Sequence, residues 1–132
     1  MNETTGPTHE NLLLVLKKYE SHPDFLGVEI IDVNQRGAVD DAPLHIAVRR
    51  GQLDDIELML ANGAQINQQG DMGNTPMHFA ALVGNLDVAR RLLLSGADLS
   101  LKNEFSQTPL DVAVSGGHSQ VADLLRKRSV KR

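Results

Sequence analysis

Three hexapeptides, APLHIA at 42–47, TPMHFA at 75–80 and TPLDVA at 108–113, place their prolines at 43, 76 and 109, 33 residues apart each time. A fixed period of this length constrains the fold before any single motif does. It makes one short supersecondary unit the building block and obliges neighbouring units to share a core. Further columns fall into the same register. Gly51, Gly84 and Gly117 coincide, as do Met59, Leu92 and Leu125, and NGAQIN (62–67) lies over SGADLS (95–100). Asn34, Asn67 and Ser100 also align. Counted from Asn34, three periods end on Arg132 and define units at 34–66, 67–99 and 100–132.

The grammar inside a unit is clearest in the middle one. QQGDMGN (68–74) is polar and glycine-rich and predicts a turn. Thr75 is placed to cap a helix, and Pro76 then takes the first helical position, where a missing N–H has no cost. MHFAALV predicts a short helix ended by Gly84. LDVARRLLL predicts a second, with apolar residues at 86, 88, 89, 92 and 93 forming one stripe, closed by Gly96. Each unit reads turn, helix, turn, helix, and the chain is all-α. Neither helix reaches the length at which an isolated helix persists in water, so each unit must bury its stripe against the next. Aromatic residues make up only 3% and tryptophan is absent, which leaves the packing to small aliphatic side chains.

The order of turn, TPMHFA, glycine turn, LDVARRLL and SGAD at a 33-residue period resembles the ankyrin repeat, in three copies over 34–132. The resemblance implies a solenoid of stacked helix-turn-helix units with loops projecting to one side. It also implies a non-catalytic module that binds another protein, without a cofactor. In that family the histidine of the hexapeptide, here His45 and His78, tethers neighbouring loops. Residues 9–33 depart from the pattern. HENLLLVLKKYE reads as an amphipathic helix with Leu12, Val15, Leu16 and Tyr19 on one face, broken at His22–Pro23. We read 9–33 as a cap over the flank of the first unit, because the ends of a repeat array need a polar outer face, and 1–8 as a disordered tail. The third unit is the other cap.

The first unit carries three departures. Asp40 stands where Gly73 stands one period later, at a turn position that favours positive φ, which Asp tolerates better than most residues. Ala42 replaces the capping Thr. Asp55 occupies the column of Val88 and Val121, where burial without a partner would be costly, so partial solvation or a cation from the cap is expected beside it.

Most chemistry is excluded by what is present. There is no cysteine, hence no thiolate site. His45, His78 and Asp111 share a column, but packed helices stand about 8–10 Å apart while zinc needs ligands at about 2.0–2.2 Å, so no metal is expected. Nucleotide-binding glycine loops and nucleophile turns are absent. The net charge of −4 argues against a nucleic-acid partner, and the basic end RKRSVKR fits a helix C-terminus complementing its own dipole. The longest apolar run, Leu12–Leu16, cannot span a bilayer, and the first ten residues lack a signal-peptide pattern. The expectation is a cytoplasmic protein, monomeric or weakly self-associating through Leu94 and the loop tips.

Carried over column by column, the family's variable positions fall on the loop tips, the column of Asp41, Asn74 and Gln107 among them, and on the exposed side of each first helix. Two features there exceed what the fold demands. Val39, Met72 and Phe105 are apolar at turn positions one period apart, and Leu82 and Val83 are apolar where Arg49 and Arg50 stand one repeat earlier. With Asn74 and Gln107 these form the expected partner-binding set, because an apolar stripe beside arginines has the composition of an interface hot spot. Blocking or inhibiting the partner is a second layer, by fold analogy; a structural or self-assembly scaffold is the rival.

Overall fold

The computed structural model describes residues 9–129, so the tail expected at 1–8 lies outside the described residues. Among them are seven α-helices and no strand: α1 His9–Tyr19, α2 Pro43–Arg50, α3 Leu53–Ala61, α4 Pro76–Val83, α5 Leu86–Leu94, α6 Pro109–Ser115 and α7 Ser119–Ser129. The chain forms two compact units, residues 1–65 and 66–132.

In the first unit the amphipathic spacing of α1 decides its packing. Leu12, Leu16 and Tyr19 are buried, and the helix lies against α2 and α3. The chain then turns at Pro23–Phe25, where His22 Nδ1 accepts from the Asp24 N–H at 3.1 Å, and buries Phe25, Ile30 and Val33. Helix α2 is buried at every position from Pro43 to Val48, and Gly51 ends it at φ 68°. Helix α3 inserts Ile56 and Met59.

In the second unit α4 pairs with α5 and α6 with α7, while α4 lies beside α6 and α5 beside α7. Ala80 and Ala113, one period apart, are both wholly buried, as small side chains must be where first helices approach closely. Leu92 and Leu125 do the same for the second helices. Leu92→Ala would cost about 2–5 kcal/mol through lost transfer energy and a cavity. Gly84 is required twice over: its φ is 81°, and an added Cβ would collide with the His118 ring. That ring donates through Nε2 to the Leu82 carbonyl at 3.0 Å.

The loops before α2, α4 and α6 are built alike. Each closes with a backbone hydrogen bond, Gly37 to Asp41 at 2.9 Å, Gly70 to Asn74 at 2.8 Å and Asn103 to Gln107 at 3.0 Å. The residue two positions before each cap is left-handed: Asp40 at φ 72°, Gly73 at 75° and Ser106 at 61°. The sequence reading of Asp40 is thus observed, and Ser106 adopts the same conformation. Met72 is the departure, with φ 57° immediately before Gly73.

Candidate functional site

The cap position of each first helix fixes how its loop is presented. Thr75 Oγ1 accepts from the His78 N–H at 3.2 Å while His78 Nδ1 accepts from the Thr75 N–H at 3.0 Å. Thr108 and Asp111 repeat this reciprocal box at 3.2 and 3.0 Å. Ala42 has no hydroxyl, yet its N–H still donates to His45 Nδ1 at 3.0 Å. The column His45, His78, Asp111 is therefore one of capping acceptors, which explains why an Asp can replace a His. Among the described residues no cluster of three or more His, Cys, Asp or Glu could hold a metal ion.

His78 also reaches the next loop. Its Nε2 lies 2.8 Å from the Gln107 carbonyl, which can only accept, so Nε2 carries the proton and Nδ1 is the acceptor. Burial pushes the His78 pKa below its ordinary value, and the Gln107 bond opposes that shift. Three further donor residues tie the loops of the second unit. Glu104 N–H donates to the Met72 carbonyl at 2.9 Å. Gln69 Nε2 donates to Gly73 O at 3.0 Å and Lys102 O at 2.9 Å. Asn103 Nδ2 donates to Asn74 Oδ1 at 2.9 Å and Gln107 Oε1 at 3.3 Å. The left-handed Met72 belongs to this arrangement, since its carbonyl is the acceptor that the third loop uses.

This framework leaves Phe105 63% exposed, Leu82 55%, Met72 49% and Val83 45%. Leu94 on α5 and Val114 on α6 are exposed as well. Asn74 and Gln107, placed in the same set from sequence, are half-buried, and their side chains serve the Asn103 network. Asn103 itself escaped the sequence reading. The available signal was an Asn in the column of Gly37 and Gly70, at a turn where its side chain can replace backbone partners; its Oδ1 accepts from Phe105 N at 2.9 Å and Gln107 N at 3.1 Å.

In the first unit Val39 is exposed. Arg49 is partly buried and bound, its Nη2 donating to Asp41 Oδ2 at 2.9 Å. Asp41, assigned to the exposed tips by column, is in fact 0% exposed, and the reason is this ion pair: a carboxylate folded under the loop needs a cation. Arg50 is exposed, with its guanidinium 5.6 Å from the Tyr19 ring centroid. The cation expected beside Asp55 is Lys18, at 3.1 Å from each carboxylate oxygen, and Tyr19 Oη adds a hydrogen bond to Oδ2 at 2.6 Å.

The chain matches the family model for ankyrin repeats in three copies, over residues 12–103 and 44–131. The chain belongs to the ankyrin-repeat family. A comparison with curated proteins finds no match. Ankyrin repeats are generally protein–protein interaction modules and are typically non-catalytic. No described helix is long and apolar enough to cross a membrane. In ankyrin terms the first helices and preceding loops present the exposed side chains above, while the second helices carry the buried Met59, Leu92 and Leu125. The family match begins at residue 12, inside α1.

Proposed function

We propose that this ankyrin-repeat protein acts by binding another protein through its loop tips and first helices, and that occupying the partner's surface blocks or inhibits it. The observation that carries the reading is the exposure of Met72 and Phe105 on successive loop tips and of Leu82 and Val83 at the end of the first helix α4, positions that a solvated turn or helix face would fill with polar residues. The apolar tips stand on loops held by hydrogen bonds that do not use their side chains. Such pre-ordered apolar groups bind with little loss of conformational freedom. Val39, Arg49 and Arg50 of the first unit belong to the same proposal, with Arg50 the more available arginine because Arg49 already serves Asp41. Asn74 and Gln107 support the surface by fixing the loops. A cytoplasmic setting, and residues 9–33 as a cap on the first of three repeats at 34–66, 67–99 and 100–132, complete the proposal.

The test is affinity capture with the wild-type chain, followed by binding measurements on Met72→Ala with Phe105→Ala. The double variant should bind its partner at least tenfold more weakly, as loss of two interface anchors implies, with thermal unfolding nearly unchanged. Intact binding together with a large loss of stability would overturn the assignment. Loss of a captured enzyme's activity on titration would support inhibition.

A further inference from the structure

A second surface lies on residues 9–33. Between α1 and the extended segment that follows it runs an open groove of about 480 Å³, floored by Leu13, Leu14, Ile30 and Ile31. Leu14 is 68% and Ile31 69% exposed. The groove is shaped by its own bonds: Glu20 Oε2 accepts from the Ile30 N–H at 2.9 Å, and Gln35 holds the segment through Ile31 N at 3.0 Å and Glu29 O at 2.9 Å. These bonds keep Ile31 turned outward in a place where collapse onto α1 would otherwise hide it. Glu29 and Lys17 line it and are exposed, and Asp32, next in sequence to Ile31, is exposed too. Apolar residues clustered in this way, with a charged rim, mark an interaction surface and differ from the scattered exposed apolar side chains of any protein.

The sequence supplies a complementary occupant. Residues 1–65 carry 5 basic and 11 acidic side chains, whereas five of the last seven residues, Arg126, Lys127, Arg128, Lys131 and Arg132, are basic, with Val130 among them. Arg126 is paired with Asp123 at 2.9 Å, and Lys127 and Arg128 are exposed. Residues 1–8 are a poor alternative filling, since MNETTGPT offers one methionine, one acid and no basic side chain for Glu29 or Asp32.

We infer that the groove on residues 9–33 receives the basic carboxyl-terminal stretch of a second copy of this chain, Val130 entering the apolar floor and its flanking cations meeting Glu29 and Asp32. The contact joins two different patches, so it is head-to-tail and leaves one groove and one basic stretch unused on every pair. Unless the rotation closes a ring, assembly proceeds as an open series. It is also salt-sensitive, because charges at an exposed rim are screened. The groove uses none of the residues of the loop-tip set, so either proposal can fail alone.

Sedimentation of the full 132-residue chain over a range of concentrations tests this. The expected result is association that grows past the dimer with concentration and weakens roughly tenfold in high salt, as rim charges dictate. Ile31→Asp, Glu29→Lys and the pair Lys127→Glu with Arg128→Glu lie on solvent-facing side chains, and each should abolish or strongly weaken association with unchanged thermal unfolding. Mixing the Glu29→Lys chain with the Lys127→Glu, Arg128→Glu chain should restore pairing, since each then carries the other's complement. A chain monomeric at every concentration overturns the inference. So does association lost in Ile31→Asp yet untouched by the basic-end variants, which would mean a groove-to-groove contact.

Discussion

Tyr19 donates its phenolic hydrogen to Asp55 across a 2.6 Å contact, joining the helix that opens the chain to the second helix of the first repeat. The two later repeats place Val88 and Val121 in the Asp55 column, both buried. A carboxylate there is tolerated because α1 brings a hydroxyl and a lysine to it. Burial, then the Asp55 bond, raises the Tyr19 pKa, so the phenol stays a donor at any physiological pH. Lys18 is 58% exposed and adds little, as exposed ion pairs do. Tyr19→Phe should therefore lower stability by about 1–3 kcal/mol, the cost of leaving a buried acceptor without its donor. Adding Asp55→Val should recover most of that loss, since removing both partners leaves nothing unsatisfied. Urea unfolding of the two single variants and the double variant, read as a cycle, gives the coupling. Additive losses would show that the contact is incidental.

His78 sets the response to acid. Its pKa in the fold lies below the ordinary 6.5 because burial disfavours the cation. The unfolded chain therefore takes up the proton first as pH falls. The contribution of His78 is complete above 6.5 and is lost as pH drops toward and through the folded value. His22 has the same direction, also led by burial. The melting temperature should be level near neutrality and fall as pH drops below 6.5. His78→Gln should cost about 1–3 kcal/mol at pH 7 through the lost Gln107 and Thr75 bonds and flatten the acid slope. Asp98, held low by Ser100, titrates below 3.8 and leaves this window alone. An unchanged slope in the variant would assign the acid response elsewhere.

Arg49 and Arg50 should separate on substitution. Arg49→Ala removes the ion-pair partner at 2.9 Å from the wholly buried Asp41 and should destabilise by about 2–3 kcal/mol, below the figure for a fully buried pair because Arg49 keeps some solvent contact. Arg50→Ala removes only the approach to Tyr19, worth about 0.5–1 kcal/mol. Thermal unfolding distinguishes them, and equal losses would contradict the ion-pair geometry. A binding loss in the Arg49 variant has to be read against its stability, whereas one in the Arg50 variant speaks more directly to the partner.

The period made the helices legible because a 33-residue repeat fixes turn, cap and stripe together. Thr75, Pro76 and Gly84 each hold the position their chemistry implies. The Asp40 conformation followed from its glycine column, and the partner of Asp55 from its burial. The bonds between loops were less legible. Asn34 and Asn67 align in sequence, but only the fold shows that each side-chain oxygen accepts a backbone N–H from the turn 31 residues on, Gln65 and Asp98, both at 2.8 Å. Asp41 was misplaced because column position gives backbone location and says nothing of which way a short acid turns. The groove beside α1 was hidden for a related reason. Residues 9–33 follow no period, so nothing in the sequence says that Leu13, Leu14 and Ile31 share a face.

The first repeat is the one with the weakest local signals, and its backbone should open most readily. Thr75 and Thr108 each accept the N–H three residues on at 3.2 Å, while Ala42 offers no side-chain acceptor to the start of α2. A missing cap costs about 1 kcal/mol. Left-handed backbone does not separate the repeats, because each carries one such residue that is not glycine, Asp40, Met72 and Ser106. The cap deficit is not visible in the α2 core, where every side chain from Pro43 to Val48 is buried, so burial and local propensity point in opposite directions. The helix-start terms decide opening, because fraying begins at the cap and exposes the loop before the core is disturbed. Hydrogen exchange should therefore show the α2 amides less protected than those of α4. Ala42→Thr and Asp40→Gly should each slow that exchange and raise stability by about 0.5–1.5 kcal/mol. Amides of residues 43–50 that are the best protected in the chain would refute the ranking.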